Sequence, residues 1–349
     1  LPSLFDPIKI GSLQLPNRVI MAPLTRCRAA QGRVPRALNA EYYKQRASAG
    51  LILSEATAVT PMGVGYPDTP GIWSKEQVEG WKLVTTAVHE AGGRILLQLW
   101  HVGRISDPVY LDGALPVAPS AIEAPGFVSL IRPKRPFVTP RALDLGEIPG
   151  IVEQFRLGAQ NAQAAGFDGV EIHGANGYLM DQFLHPSSNQ RTDEYGGSIE
   201  NRARFMLEVT DAAISVWGAD RVGVHLAPRH DEAEDPEVEH GAVFVHLANE
   251  LSTRRVAFIC AREGERENMV GPAIRRAFNG VYIANEGLTP ESAQAALDAN
   301  SADAVAFGRL FIANPDLPRR IELKAPLNTP MPATFYGSGP EGYTDYATL

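Results

Sequence analysis

The 349-residue chain is 44% hydrophobic and 21% charged, with a formal net charge of −8. This is the make-up of a chain that buries a large core, and it excludes a disordered one. The acidic balance argues against general nucleic-acid binding, which needs a basic surface, and no apolar run approaches the length of a membrane span.

The opening Leu1-Pro2-Ser3-Leu4-Phe5 has no charged stretch followed by an apolar signal core. Cys27 and Cys260 are the only cysteines, which excludes a disulfide framework and fits a cytoplasmic chain, a single Cys27–Cys260 bridge being left open. Apolar runs of strand length recur at Arg18–Ala22, Leu51–Glu55, Arg94–Leu99, Gly169–His173, Val222–Leu226, Val256–Ile259, Gly280–Ala284 and Ala304–Phe307. Continuous runs of this length suit strands buried on both faces, as in parallel sheets. Helical stretches are predicted at Lys75–Ala91, Ile151–Ala165, Ile199–Trp217 and Pro290–Ala299, the last opened by Thr289 as N-cap with proline in the first turn. The alternation predicts one α/β domain over 1–349, a (β/α)8 TIM barrel. A doubly wound open sheet is the alternative, because strand order is not written in a sequence.

One segment breaks the rhythm. From Pro108 to Pro149 prolines are frequent and helical periodicity is weak. The excursion after strand three, about 105–148, is too long for an ordinary connection and reads either as a lid over the barrel mouth or as a passive surface loop.

In a barrel, chemistry collects where strands end at the C-terminal face, and those positions here are polar. Strand one ends in Pro23-Leu24-Thr25-Arg26 and strand two in Glu55-Ala56-Thr57. Strand three carries Gln98, Trp100 and His101; strand four runs into His173-Gly174-Ala175-Asn176-Gly177-Tyr178. Strand five ends near His225, strand seven at Ala284-Asn285-Glu286-Gly287 and strand eight at Gly308-Arg309. Gly308-Arg309 with Ala284-Asn285 fits a barrel phosphate site, although a surface turn would also account for Gly-Arg. His173 and Asn176 are neutral groups able to grip a carbonyl, nitro or phenolate oxygen, and Tyr178 is placed to supply a proton. Zinc would require further ligands near His173, the nearest histidine being His185, and none is expected; a purely structural His173 is the bland alternative. Gly337, Gly339 and Gly342 share the spacing of a dinucleotide fingerprint but follow no strand and leave no room for a βαβ unit. Arg132, Lys134, Arg135 and Arg141 read as a solvated basic face.

At these residues the sequence resembles the Old Yellow Enzyme family, in particular its bacterial branch of alkene, N-ethylmaleimide and nitroester reductases. The likeness runs from Leu4-Phe5 and Asn17-Arg18 to Tyr343-Thr344-Asp345-Tyr346. It is most specific in His173–Tyr178, Gln182-Phe183-Leu184, Ser187–Asp193, Tyr195–Ser198 and Asn201-Arg202. The resemblance implies non-covalent FMN, with Pro23, Leu24, Thr25, Ala56 and Gln98 along the flavin ring and Ala284, Asn285, Gly308 and Arg309 at the phosphate. It further implies that NADPH or NADH reduces FMN, and that an enone, maleimide or nitroalkene then binds with its activating oxygen on His173 and Asn176. Tyr178 would protonate the α-carbon, and Tyr66, Trp100 and Tyr336 would wall the pocket. No nucleic-acid or membrane partner is implied, and the chain is expected as a monomer or weak homo-oligomer.

Two positions depart from the family pattern. His225 stands where an arginine is usual beside the flavin, which bears on redox tuning more than on binding. The segment His230–His240 is unusually acidic. Two rival functions remain open: a barrel aldolase or isomerase, disfavoured because none of these strands ends in lysine, and a flavin-binding protein without turnover, disfavoured by Tyr178 beside His173 and Asn176.

Overall fold

A computed structural model describes residues 1–228, 240–264 and 267–349. The acidic segment at 230–240 therefore lies outside the described residues, except for His240 at the head of a helix.

Eight strands carry the fold: β1 (Val19–Met21), β2 (Leu51–Leu53), β3 (Ile95–Trp100), β4 (Val170–Gly174), β5 (Val222–Leu226), β6 (Phe258–Arg262), β7 (Val281–Asn285) and β8 (Ala304–Phe307). Each pairs in parallel with the next in sequence, and β8 pairs with β1 through Ala306 and Ile20, so the sheet closes. The closing pairs decide against the open sheet and establish the (β/α)8 barrel. The strand runs read from sequence fall within two or three residues of the observed strands. The largest slip is at β6, placed at Val256–Ile259 but observed at Phe258–Arg262.

Period-two alternation divides each strand between two cores. Val19, Ile52, Leu97, Leu99, Ile172 and Val224 point outward against helix residues such as Val84, Val88, Phe155 and Phe205. Ile20, Leu51, Leu53, Leu96, Phe258, Cys260 and Ile283 point inward. A hairpin of Ile8–Ile10 and Leu13–Leu15, which the sequence reading did not find, sends Ile8, Ile10, Leu13 and Leu15 into this inner cluster and plugs the N-terminal end of the barrel. Truncating one of these plug residues to alanine is worth roughly 2–5 kcal/mol.

The helices begin and end where local chemistry dictates. Ser74 and Gln77 form a capping box at Lys75–Glu90, Ser198 accepts from the Asn201 amide at Ile199–Trp217, and Thr289 accepts from the Ser292 amide ahead of Pro290–Asp298. Among the described residues no helix is long and apolar enough to cross a membrane. Cys27 and Cys260 are both buried and both free, so the bridge left open by the sequence is not formed.

The excursion after β3 is ordered by its own contacts. Val117–Ala118 pairs with Arg141–Ala142, and Ala124, Val128 and Phe137 form a small satellite core. Arg135, read as part of a solvated basic face, forms an ion pair with the buried Asp107, and Arg141 forms one with Glu147.

Candidate active site

With the N-terminal end plugged, the inward side chains at the C-terminal strand ends surround a cavity of about 1400 Å³. Pro23, Leu24, Thr25, Ala56, Gln98, His173, Asn176, Tyr178, His225, Asn285, Gly308, Arg309 and Tyr336 all line it, so nearly every residue singled out at a strand end meets the others here. Ala284 does not. Alternation turns its side chain outward into the main core, and Asn285 faces the cavity instead. Tyr66 and Trp100 also stand outside the lining, in a layer behind Tyr178. No residue of the 105–148 excursion lines the cavity among those described; it reaches the layer behind Tyr178 through Ile105, packed against the cluster of Ala56, Trp100 and Val102, and through Ser129, hydrogen-bonded to Tyr66.

The loop after β4 is shaped for its task. Asn176 and Gly177 take φ of 61° and 75° in succession, a left-handed pair that asparagine and glycine adopt at least cost. The turn swings Tyr178 back over the barrel mouth and starts the short helix Leu179–Leu184. Asp181 accepts from the Gly177 amide at 2.8 Å and Gln182 donates to the Gly177 carbonyl at 2.8 Å. Much of the downstream motif serves as scaffold. Ser188 bonds the Gln182 carbonyl, Asn189 bonds the carbonyls of Phe183 and Tyr195, and Arg191 pairs with Asp193 and bonds the carbonyls of Pro119 and Leu143.

Aromatic contacts hold Tyr178 and His173 in place. The Tyr178 ring meets Trp100 edge-on at 5.2 Å and His173 edge-on at 4.9 Å, while Tyr66 stacks on Trp100 at 5.4 Å. The Tyr178 and Tyr66 hydroxyls share a hydrogen bond of 2.6 Å. Burial, reinforced by Tyr66, pushes the Tyr178 hydroxyl well above the usual tyrosine range, so it holds its proton. Burial, with His225 and Arg262 nearby, holds the His173 imidazole well below its usual range and therefore neutral. His173 Nδ1 is buried and without a hydrogen-bond partner among the described residues, which leaves it free for a bound group.

Beneath these lies a polar layer that sequence reading found only in part. Glu171, fully buried, accepts from Gln98 Nε2 at 2.7 Å and lies 3.2 Å from His225 Nδ1. Nε2 of the same imidazole stands 3.4 Å from Asn285 Nδ2. The ligand atoms of Glu171, His225 and Cys260 fall within 4.8 Å of one another, but the carboxylate already serves Gln98 and His225. Glu171 is two residues before His173 on one strand, so alternation alone would have pointed it inward.

Gly308, Arg309 and Lys324 also line the cavity, as does Arg320, whose guanidinium is already paired with Asp316 and bonded to the carbonyls of Pro326 and Ala347. A side chain at Gly308 would approach the tip of Leu24 to 3.2 Å, a tight contact on the cavity wall. The mouth is roofed by the C-terminal segment. Arg26 and Arg28 donate to the Phe335 carbonyl at 3.0 and 3.1 Å, and Phe335 and Tyr336 line the cavity below. The glycines that mimic a fingerprint belong to this segment. Gly339 and Gly342 offer their carbonyls to Arg28 Nε and Arg26 Nη2, and no nucleotide site is built from them.

A cavity at the strand ends that brings together arginine and lysine side chains, apolar and amide groups, and His173, Asn176 and Tyr178 can take a phosphate-bearing ligand. Residues 3–328 match the model of the NADH:flavin oxidoreductase / NADH oxidase family. Relatives include 12-oxophytodienoate reductase 2 of Arabidopsis thaliana, 44% identical over 99% of this chain and 96% of that one, and 12-oxophytodienoate reductase 1 of Oryza sativa subsp. japonica, 44% identical over 99% and 93%. Among solved structures, the Old Yellow Enzyme homologue from Zymomonas mobilis superposes with a TM-score of 0.96 at 47% identity over all of both chains. Morphinone reductase in complex with tetrahydroNAD gives 0.95 at 52% identity over all of this chain and 98% of the other. The chain belongs to the NADH:flavin oxidoreductase / NADH oxidase family and, within it, to the Old Yellow Enzymes: it is an FMN-dependent ene-reductase driven by a reduced nicotinamide. The curated relatives are plant reductases, a different branch from the bacterial one that the motifs suggested.

Proposed function

We propose that this enzyme reduces alkenes conjugated to a carbonyl, nitro or imide group, with His173 and Asn176 holding the activating oxygen and Tyr178 donating the proton. Bound FMN supplies the hydride chemistry, accepting a hydride from the nicotinamide and passing one to the alkene. Thr25, Ala56, Gln98, His225 and Asn285 are the residues that would hold its ring, and Gly308 and Arg309 its phosphate. Arg309 and Lys324, with Gly308 in the same lining, fit such a group.

His173 and Asn176 polarise the substrate as negative charge grows on its oxygen, which makes the β-carbon electrophilic. In its neutral state His173 has one N–H to donate, and it serves the oxygen as a hydrogen-bond donor and not as a cation. Tyr178 then gives its proton to the α-carbon, and Tyr66, already bonded to it, can pass a replacement inward from solvent. Protonation of the α-carbon balances the hydride added at the β-carbon, so the alkene gains one hydrogen at each carbon. The excursion at 105–148, whose Ser129 hydrogen-bonds Tyr66, would act on the site by bracing this tyrosine pair.

The observation that carries the reading is the buried, unpartnered Nδ1 of His173 beside Asn176 and below Tyr178 in one cavity. Titration of the FMN-loaded enzyme with a para-substituted phenol tests it. His173→Ala and Asn176→Ala should each weaken phenol binding by an amount corresponding to roughly 2–4 kcal/mol, the scale of an oxyanion-binding donor. Wild-type affinity in both variants would remove the pair from the substrate site.

A further inference from the structure

An asparagine amide has an acceptor end and a donor end that differ by a half-turn about one bond, so Asn176 can serve a substrate oxygen only if something fixes which end faces it. Arg262, at the end of β6, does so. Its Nη1 lies 2.9 Å from Asn176 Oδ1, and a guanidinium has donors and no acceptor. The amide oxygen must therefore face Arg262, which leaves Nδ2 and its two hydrogens for the cavity. In the reversed orientation, amide and guanidinium would both be donors at that contact.

Arg262 is itself held. Nε and Nη2 both donate to Glu286 Oε1, at 3.1 and 2.8 Å, which uses one edge of the guanidinium and leaves Nη1 for Asn176. Glu286 stands at φ 89°, a backbone region where a residue with a side chain is uncommon and strained. Glycine would occupy it without that strain. The carboxylate that comes with this backbone is engaged with Arg262.

We propose that Glu286 and Arg262 form a positioning relay that orients the Asn176 amide towards the activating oxygen of the substrate. The proposal rests on the reading of Asn176 as an oxygen-binding donor. The relay spans the mouth, from the loop after β7 through the end of β6 to the loop after β4. Arg262 also faces His173 and helps to keep that imidazole neutral.

The test uses FMN-loaded Arg262→Met, Arg262→Lys, Glu286→Gly and Asn176→Ala, together with Arg262→Met/Asn176→Ala. The readouts are affinity for a para-substituted phenol, kcat/KM for cyclohexenone, and FMN content. Arg262→Met and Glu286→Gly should each weaken phenol binding and lower kcat/KM by about tenfold, the effect of losing one charged hydrogen bond. Glu286→Gly relieves the backbone, so it should retain FMN and fold normally; it decides the matter should Arg262→Met prove unstable. In the Asn176→Ala background, Arg262→Met should add less than about twofold, because contacting residues couple. Arg262→Lys should not restore wild-type values, since an ammonium lacks the fork that holds both partners. The relay is overturned if Arg262→Lys matches wild type, if Arg262→Met costs as much without Asn176 as with it, or if Glu286→Gly is silent. Wild-type phenol affinity in Asn176→Ala would remove the donor reading itself, and the relay with it.

Discussion

Replacing Tyr178 by phenylalanine removes one oxygen atom and little else. The ring contacts with Trp100 and His173 survive, since they are edge-on contacts of the ring itself. The lost hydrogen bond to Tyr66 spans 2.6 Å and is worth about 1 kcal/mol of stability. FMN content and reduction by NADPH should therefore stay near wild type. The oxidative half-reaction should not. The buried hydroxyl is protonated at ordinary pH, and a placed general acid contributes about 10²–10⁴-fold, or roughly 3–5 kcal/mol of barrier. Rapid mixing of NADPH-reduced enzyme with cyclohexenone measures this step alone. Nitroalkenes should lose less, because hydride transfer to them gives a stabilised nitronate that can wait for a solvent proton. Tyr66→Phe is the control: it keeps the Tyr178 proton and should stay within about tenfold of wild type, less than the contribution of the general acid itself. If Tyr178→Phe reduces cyclohexenone at the wild-type rate, Tyr178 is not the donor. If Tyr66→Phe alone is slow, the proton leaves from Tyr66.

Two further outcomes follow from the barrel interior. His225→Arg should shift the FMN reduction potential while leaving FMN bound, because a permanent guanidinium would replace the imidazole that lines the cavity and lies 3.2 Å from Glu171; redox titration of both forms checks this, and an unchanged potential places residue 225 away from the ring. Glu55 is pushed from its ordinary 4.5 up to about 7 by burial, against the opposing hydrogen bond from Tyr43. Between these values the unfolded chain has lost a proton that the folded chain keeps, so stability falls as pH rises from about 4.5 to 7, by roughly 3 kcal/mol. Glu55→Gln should flatten that decline in denaturant melts taken across the window, and a wild-type slope in the variant would refute it.

The barrel and most of its site are legible in sequence because parallel strands buried on both faces produce uninterrupted apolar runs, and because polar residues just past such runs must face the mouth. Thr25, Gln98, His173 and Asn285 are found by that rule alone. It fails where the run and the strand part company. The run before β6 is read as ending at Ile259, yet the strand continues to Arg262, so the arginine bonded to Asn176 lies three positions past the end of the run. Ala284 errs in the other direction: it sits at a strand end but on the outward phase. Glu171 escaped because a charged residue inside an apolar run looks like an interruption, when period two with His173 places it on the floor. Tyr66, Tyr336 and the arginines that hold the C-terminal roof come from irregular segments, where no periodicity speaks.

The account stands most directly on one anaerobic titration of the purified protein. It should be yellow with roughly one FMN per chain, as a barrel with a single mouth requires, and that FMN should be released intact on denaturation. NADPH or NADH added under nitrogen should bleach it, and an equivalent of cyclohexenone should restore the colour as the saturated ketone forms. A protein that stays colourless after incubation with FMN, or one whose bleached flavin is not reoxidised by any enone, maleimide or nitroalkene, would contradict it.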